Sequence, residues 1–141
     1  MHHPARFEIF ARGDLHAVVD GAHNPAGMHA LRAGLDAYFP EMPRVFLLGI
    51  LKDKDIDAML AALLRPGDRV VTVRPDSERA AGADVVAAVA AGMGLDTLAC
   101  SDVQTGLAEA EARARADHAL LVAAGSLYLV GGIRSLLAEG R

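Results

Sequence analysis

The stretch Val45-Phe46-Leu47-Leu48-Gly49-Ile50-Leu51 runs directly into Lys52-Asp53-Lys54-Asp55. Seven residues without a polar side chain give way to four charges in a row. A strand with one wet face alternates polar and apolar residues. An unbroken apolar run instead predicts a strand covered on both faces, as in a parallel sheet flanked by helices. The charges mark its exit at the edge of the sheet. Ile56, Met59, Leu60, Leu63 and Leu64 then follow at helical spacing, and Asp55 can cap that helix.

The same strand-helix unit recurs on either side. Leu15 to Val19 is a compact apolar run ending in Asp20-Gly21. Asn24-Pro25 opens a helix bearing Met28, Leu31, Leu35 and Tyr38, which closes at Pro40 and Pro43. Phe7 to Phe10 is a further short extended segment. Downstream, Pro66-Gly67-Asp68 is a turn, Arg69 to Val73 a strand, and Asp84 to Met93 its helix, stopped by Gly94. Thr97 to Ala99 is a short strand. Ser101-x-x-Gln104 reads as a capping box for a helix to Ala116. His118 to Ala123 is another apolar strand, and Gly125-Ser126 starts a last helix carrying Leu127, Val130, Ile133, Leu136 and Leu137. Strands alternating with helices over short loops predict an α/β fold. The expected form is a three-layer α/β sandwich on a mostly parallel, Rossmann-like sheet of six strands. The first strand is expected to pair antiparallel at an edge. The order of the strands is left open.

At 141 residues, 52% hydrophobic and 23% charged, residues 1–141 are expected to form one domain with a substantial core. Fourteen basic against eighteen acidic residues give a net charge of −4, which argues against a nucleic-acid partner. No apolar run reaches the roughly 18 residues of a membrane span, so no membrane partner is expected. Cys100 is the only cysteine, so neither an intramolecular disulfide nor a cysteine zinc cluster can form. A cytoplasmic location fits this. His2 and His3 carry no assigned chemistry.

In an open α/β sheet, ligands bind beyond the carboxyl ends of the strands. Those ends here are Asp20-Gly21-Ala22-His23-Asn24-Pro25, Lys52 to Asp55, Arg74 to Arg79, and Ala124-Gly125-Ser126. Asp20 and His23 together exceed what a turn needs, because Asn24 already serves as cap. They are read as functional. The bland reading of Lys52 to Asp55 is a solvated loop, and that of Ser126 is a helix cap. Arg74 and Arg79 can each bind a carboxylate or phosphate, although exposed loop arginines commonly have no specific role. Cys100 is expected to pack as a small hydrophobe. His16 and His118 fall at the opposite edge. Phosphate-loop, dinucleotide-fingerprint and nucleophile-elbow motifs are all missing, as are paired histidines at metal spacing. No metal ligand is assigned.

Four blocks in order suggest a family: Arg6-Phe7-Glu8, Asp20 to Pro25, Gly49 with Asp53-Lys54-Asp55, and Gly125-Ser126-Leu127-Tyr128-Leu129-Val130. The chain resembles the C-terminal domain of folylpolyglutamate synthase/dihydrofolate synthase, within the Mur ligase superfamily. Ala5 departs from the glycine usual in that family. The resemblance implies an ATP-dependent ligase that joins L-glutamate to folate or dihydropteroate through an acyl phosphate, with Mg2+ in the complete enzyme. It further implies a partner, the N-terminal ATPase domain, which carries the phosphate loop, the magnesium ligands and most folate contacts. The chain is then a C-terminal fragment or separately expressed domain, holds neither ATP nor Mg2+ completely, and is expected to be inactive alone. Carried over residue by residue, Arg6, Asp20 and Lys54 face the nucleotide, with Asp20 on the ribose. His23 faces the reaction centre and the incoming glutamate, and Ser126 and Arg79 the glutamate. Two competing readings are a free-standing nucleotide or amino-acid binding module and an interaction domain without chemistry. An upstream phosphate-loop domain in the same reading frame would favour the ligase.

Overall fold

The apolar run at residues 45–51 is buried throughout, and its first four residues lie in a central strand of a six-stranded sheet. The structure, a computed structural model, describes residues 6–139; His2, His3 and Ala5 lie outside them. The elements in chain order are β1 (Glu8–Arg12), β2 (Leu15–Val19), α1 (Pro25–Tyr38), β3 (Arg44–Leu48), α2 (Ile56–Leu63), β4 (Arg69–Thr72), α3 (Ala83–Gly92), β5 (Asp96–Ala99), α4 (Val103–Asp117), β6 (Leu120–Ala124) and α5 (Leu127–Glu139). The sheet order is β1-β2-β6-β3-β4-β5. Only β1 is antiparallel, pairing with β2 from Glu8 opposite Val19 to Arg12 opposite Leu15. The five remaining strands are parallel, so the expected fold class is borne out.

All five residues of β3 are buried. Successive side chains of a strand point to opposite faces, and both faces here are packed. Phe46 and Leu48 belong to one buried cluster with Met28, Leu31 and Leu35 of α1, Met59, Leu60 and Leu63 of α2, and Val86 and Ala90 of α3. Val45 and Leu47 belong to the cluster on the other face, with Leu107 and Ala110 of α4 and Leu129 and Ile133 of α5. This two-sided packing is why the sequence shows no polar alternation there.

The helix starts are set by side-chain caps. Asn24 Oδ1 accepts from the Gly27 amide at 2.7 Å, and Asp55 Oδ1 from the Ala58 amide at 3.1 Å. At α4 the expected capping box at Ser101 is not formed. Asp102 caps instead, its Oδ1 accepting from the Thr105 amide at 2.7 Å. A carboxylate at the helix mouth gains from both hydrogen bond and dipole, and so wins over the hydroxyl one residue earlier. The strand expected to begin at His118 begins at Leu120. His118 takes the left-handed conformation, φ 52°, that ends α4.

The strand expected over Val45–Leu51 leaves the sheet after Leu48. Beyond that point the carbonyl of Ile50 accepts from the Ala81 amide at 2.8 Å, and Leu51 pairs antiparallel with Ala80. The Lys52 amide also donates to the Arg79 carbonyl at 2.7 Å. The charged turn after β3 is thereby stapled to the loop after β4.

Candidate functional site

Strand β6 lies between β2 and β3. It sends the chain into α5 on one face, whereas β2 and β3 lead into α1 and α2 on the other. Neighbouring strands whose connections part to opposite faces leave a crevice at their carboxyl ends. Two adjoining hollows open there, and His23 lines both.

The first hollow, about 310 Å³, is lined by Arg6, Phe7, Asp20, Gly21 and His23 together with the start of α1. Asp20 is buried at its floor, 7% exposed. Its Oδ1 accepts from the Ala22 amide at 2.8 Å and its Oδ2 from the Phe7 amide at 2.9 Å. A carboxylate oxygen has more than one acceptor position, so both oxygens retain capacity for a ligand hydroxyl. Phe7 has a positive φ of 48°, a conformation that costs a bulky residue on the order of 1–3 kcal/mol and persists only when its surroundings hold it.

The second hollow, about 460 Å³, brings together His23, Lys54, Arg79 and Ser126, walled by Leu51, Leu127 and Tyr128. Ser126 is fully buried, and its Oγ accepts from the Leu129 amide at 3.1 Å, capping α5. The hydroxyl proton is not used by that bond. Lys54, assigned by resemblance to the nucleotide side, lines this hollow with Arg79 and Ser126. Arg74 does not join them. It lines a separate depression with Asp76, Glu78 and Asp102.

Over residues 5–126 the sequence matches the family described as "Mur ligase, glutamate ligase domain". The chain belongs to this family. It is 41% identical over 135 residues to a probable bifunctional folylpolyglutamate synthase/dihydropteroate synthase of Halobacterium salinarum, covering 95% of the chain and 16% of that protein. The structure of Mycobacterium tuberculosis folylpolyglutamate synthase complexed with ADP superimposes with a TM-score of 0.88 at 31% identity, covering 99% of this chain and 33% of that one. A bifunctional folylpolyglutamate synthase/dihydrofolate synthase with Mn, AMPPNP and L-glutamate bound gives a TM-score of 0.83 at 26% identity, covering 97% and 32%. The glutamate ligase domain described here therefore spans about a third of the length of the two solved enzymes and 16% of the Halobacterium protein. The resemblance read from the four sequence blocks is borne out.

Within this glutamate ligase domain, His23 Nδ1 lies 2.9 Å from the carbonyl oxygen of Gly21. A carbonyl can only accept, so Nδ1 carries the proton in that contact and Nε2 is left to a ligand. The fixed partner that the sequence did not reveal is thus a backbone group two residues away. Arg79 donates to Asp53 Oδ2 at 3.2 Å, with both side chains more than half exposed. Desolvation pulls the Asp53 carboxyl upward, but the Arg79 hydrogen bond, its own backbone bond and the Arg79 and Lys54 charges together hold it below the usual carboxylate value. Asp53 tethers Arg79 at the rim of the second hollow, a role composition could not assign. The sequence reading also passed over Leu51, Leu127 and Tyr128 as walls. Tyr128 and Leu127 are 49% and 61% exposed. Two large exposed apolar side chains directly after Gly125-Ser126 are the signal that marked them. Among the described residues no cluster of three or more His, Cys, Asp or Glu side chains could hold a metal ion, and no helix is long and apolar enough to cross a membrane.

Proposed function

We propose that the chain is a single domain serving as the C-terminal part of an ATP-dependent ligase. The complete enzyme joins L-glutamate to the carboxyl group of a folate or dihydropteroate. The observation that carries this reading is the juxtaposition of two chemically different hollows across His23 in a glutamate ligase domain. One offers a buried carboxylate with an arginine, suited to a ribose diol and an anionic nucleotide. The other offers two cations, a hydroxyl and an imidazole, suited to an amino dicarboxylate.

ATP supplies the phosphoryl group that turns the acceptor carboxylate into an acyl phosphate. The glutamate amine then attacks the acyl carbon, phosphate leaves, and the nitrogen loses a proton as the amide forms. Asp20 takes the nucleotide's ribose hydroxyls and Arg6 its negative charge. Arg79, Lys54 and Ser126 hold the glutamate so that its nitrogen points at the acyl carbon, and holding that geometry is a large share of the work in joining two molecules. Lys54 belongs to the amino-acid side in this reading because it lines the hollow of Ser126 and Arg79. His23, with Nδ1 engaged by Gly21, presents Nε2 to the amine or to a phosphate oxygen. Mg2+ and the phosphate cradle belong to a preceding ATPase domain, the partner of this one. An ATP-consuming ligase with a single buried thiol at Cys100 suits the cytoplasm.

The test is steady-state kinetics of the complete ligase with ATP and glutamate varied separately. Ser126→Ala raises KM for glutamate and leaves that for ATP nearly unchanged, while His23→Ala also loses turnover. A Ser126→Ala enzyme altered only in its ATP constants would overturn the glutamate assignment.

A further inference from the structure

Phe7 is held in its left-handed conformation by three separate contacts. Its amide donates to Asp20 Oδ2 at 2.9 Å. Its ring lies on α1 at Gly34, where an added Cβ would stand 2.9 Å from ring atom Cε2 and 3.3 Å from Cδ2. The ring also packs against Tyr38, with centroids 5.6 Å apart. Gly34 occupies the interior of α1, where alanine would favour the helix. The ring pressed against it supplies a physical reason for glycine at that position. Phe7 and Arg6 line the first hollow; Gly34 and Tyr38 do not.

We propose that Phe7 is a positioning residue. Seated on Gly34 and Tyr38 and tied to Asp20, it turns the backbone so that Arg6 stands over the first hollow. Occupancy of that hollow by a nucleotide is thereby coupled to the placement of Arg6. The inference rests on the reading of the first hollow as the ribose side of the nucleotide site. Asp20 is the joint between the two. One oxygen holds Phe7 and the other holds Ala22, and a ligand diol must use the remaining acceptor positions of the same two oxygens. A ligand that fixes this carboxylate also fixes the amide of Phe7 and the residue before it. Conversely, displacing the Phe7 ring loosens Arg6 while Asp20, Ala22 and the second hollow keep their places. Gly34 acts only through the ring it supports.

The experiment uses the complete ligase carrying Gly34→Ala, whose new methyl group overlaps the Phe7 ring. KM for ATP is expected to rise about tenfold, the scale of one charged hydrogen bond. KM for glutamate stays within about twofold, because the second hollow is built from other elements. In a Phe7→Leu background, which lacks the Cε atoms, Gly34→Ala adds no more than about twofold, since coupled residues are non-additive. Asp20→Asn separates the two levels of the argument. If Asp20→Asn raises KM for ATP but Gly34→Ala does not, the nucleotide reading stands and the role of Phe7 is overturned. If Asp20→Asn leaves KM for ATP unchanged, the nucleotide reading falls and this inference falls with it. Equal rises in the ATP and glutamate constants with a lowered melting temperature would reduce Gly34 to a packing residue and overturn the proposal as well.

Discussion

Replacing Gly125 with alanine tests whether the crevice depends on close backbone approach. Gly125 has a φ of 126°, a region open to glycine and strained for any other residue. Its amide donates to the Ala22 carbonyl at 3.0 Å, tying the exit of β6 to the Asp20–His23 loop. An added Cβ would press into the Gly49 carbonyl oxygen and stand 3.0 Å from both the Gly49 carbonyl carbon and Ile50 Cγ1. Those atoms have little room to yield, because the Gly49 amide is bonded to Ala124 and the Ile50 carbonyl to Ala81. Backbone strain and forced overlap each cost about 1–3 kcal/mol, so together about 2–6 kcal/mol is expected. That is a large part of the roughly 5–15 kcal/mol that holds a domain folded. For a chain of this size, the melting temperature should fall by about 6–20 °C. Gly131 is the internal control. It lies within α5 with no atom in reach of an added Cβ, so Gly131→Ala should stabilise by about 0.5–1 kcal/mol. Thermal unfolding of the 141-residue chain, followed by far-ultraviolet circular dichroism, measures both. A Gly125→Ala protein melting within about 2 °C of the parent would refute the close-approach reasoning.

Three further outcomes are expected. The Asp53 carboxyl should titrate below 3.8 by NMR, and Arg79→Ala should move it back up. Because the folded value is the lower one, the pair's contribution is present above pH 3.8 and is lost as pH falls through the folded value. That contribution should be small, since both side chains are more than half exposed and screened by solvent. The Cys100 thiol is pushed up by burial, with the Glu109 charge adding to it. Mass spectrometry should therefore find slow alkylation at neutral pH in the native protein and rapid alkylation in denaturant; equal rates would contradict this. Asp68 is buried and accepts from the Arg65 amide at 2.8 Å and from Arg32 at 2.9 Å. Asp68→Ala should cost about 1–3 kcal/mol in denaturant unfolding, because it takes one partner from a largely buried guanidinium that keeps only the Leu63 carbonyl and Asp36. A loss below about 1 kcal/mol would place this pair among ordinary surface bridges.

The helix starts at Asn24 and Asp55 were legible because a cap is a contact between residues three apart. The start of α4 was misread because Ser101 and Asp102 compete for the same role, and only the fold chooses the carboxylate. The carboxyl ends of β2, β3 and β6 were named as candidate edges from their apolar runs alone. Phe7 was read as the start of an extended segment and as part of a family block, with no role of its own. Its positive φ depends on Asp20, Gly34 and Tyr38, which lie 13 to 31 residues away in sequence.

By itself the sequence determined the α/β class, the edge where polar residues gather, and the family blocks. Burial period, capping and turn chemistry act over a few residues and are written directly in their order. The tertiary structure alone decided that β6 inserts between β2 and β3. That insertion puts Ser126 beside His23, and the staple between the loops after β3 and β4 brings in Lys54 and Arg79. Strand order is settled by the packing of whole helices on the two faces of the sheet. No local pattern encodes which apolar strand lies beside which, because each of them offers a neighbour the same backbone hydrogen bonds.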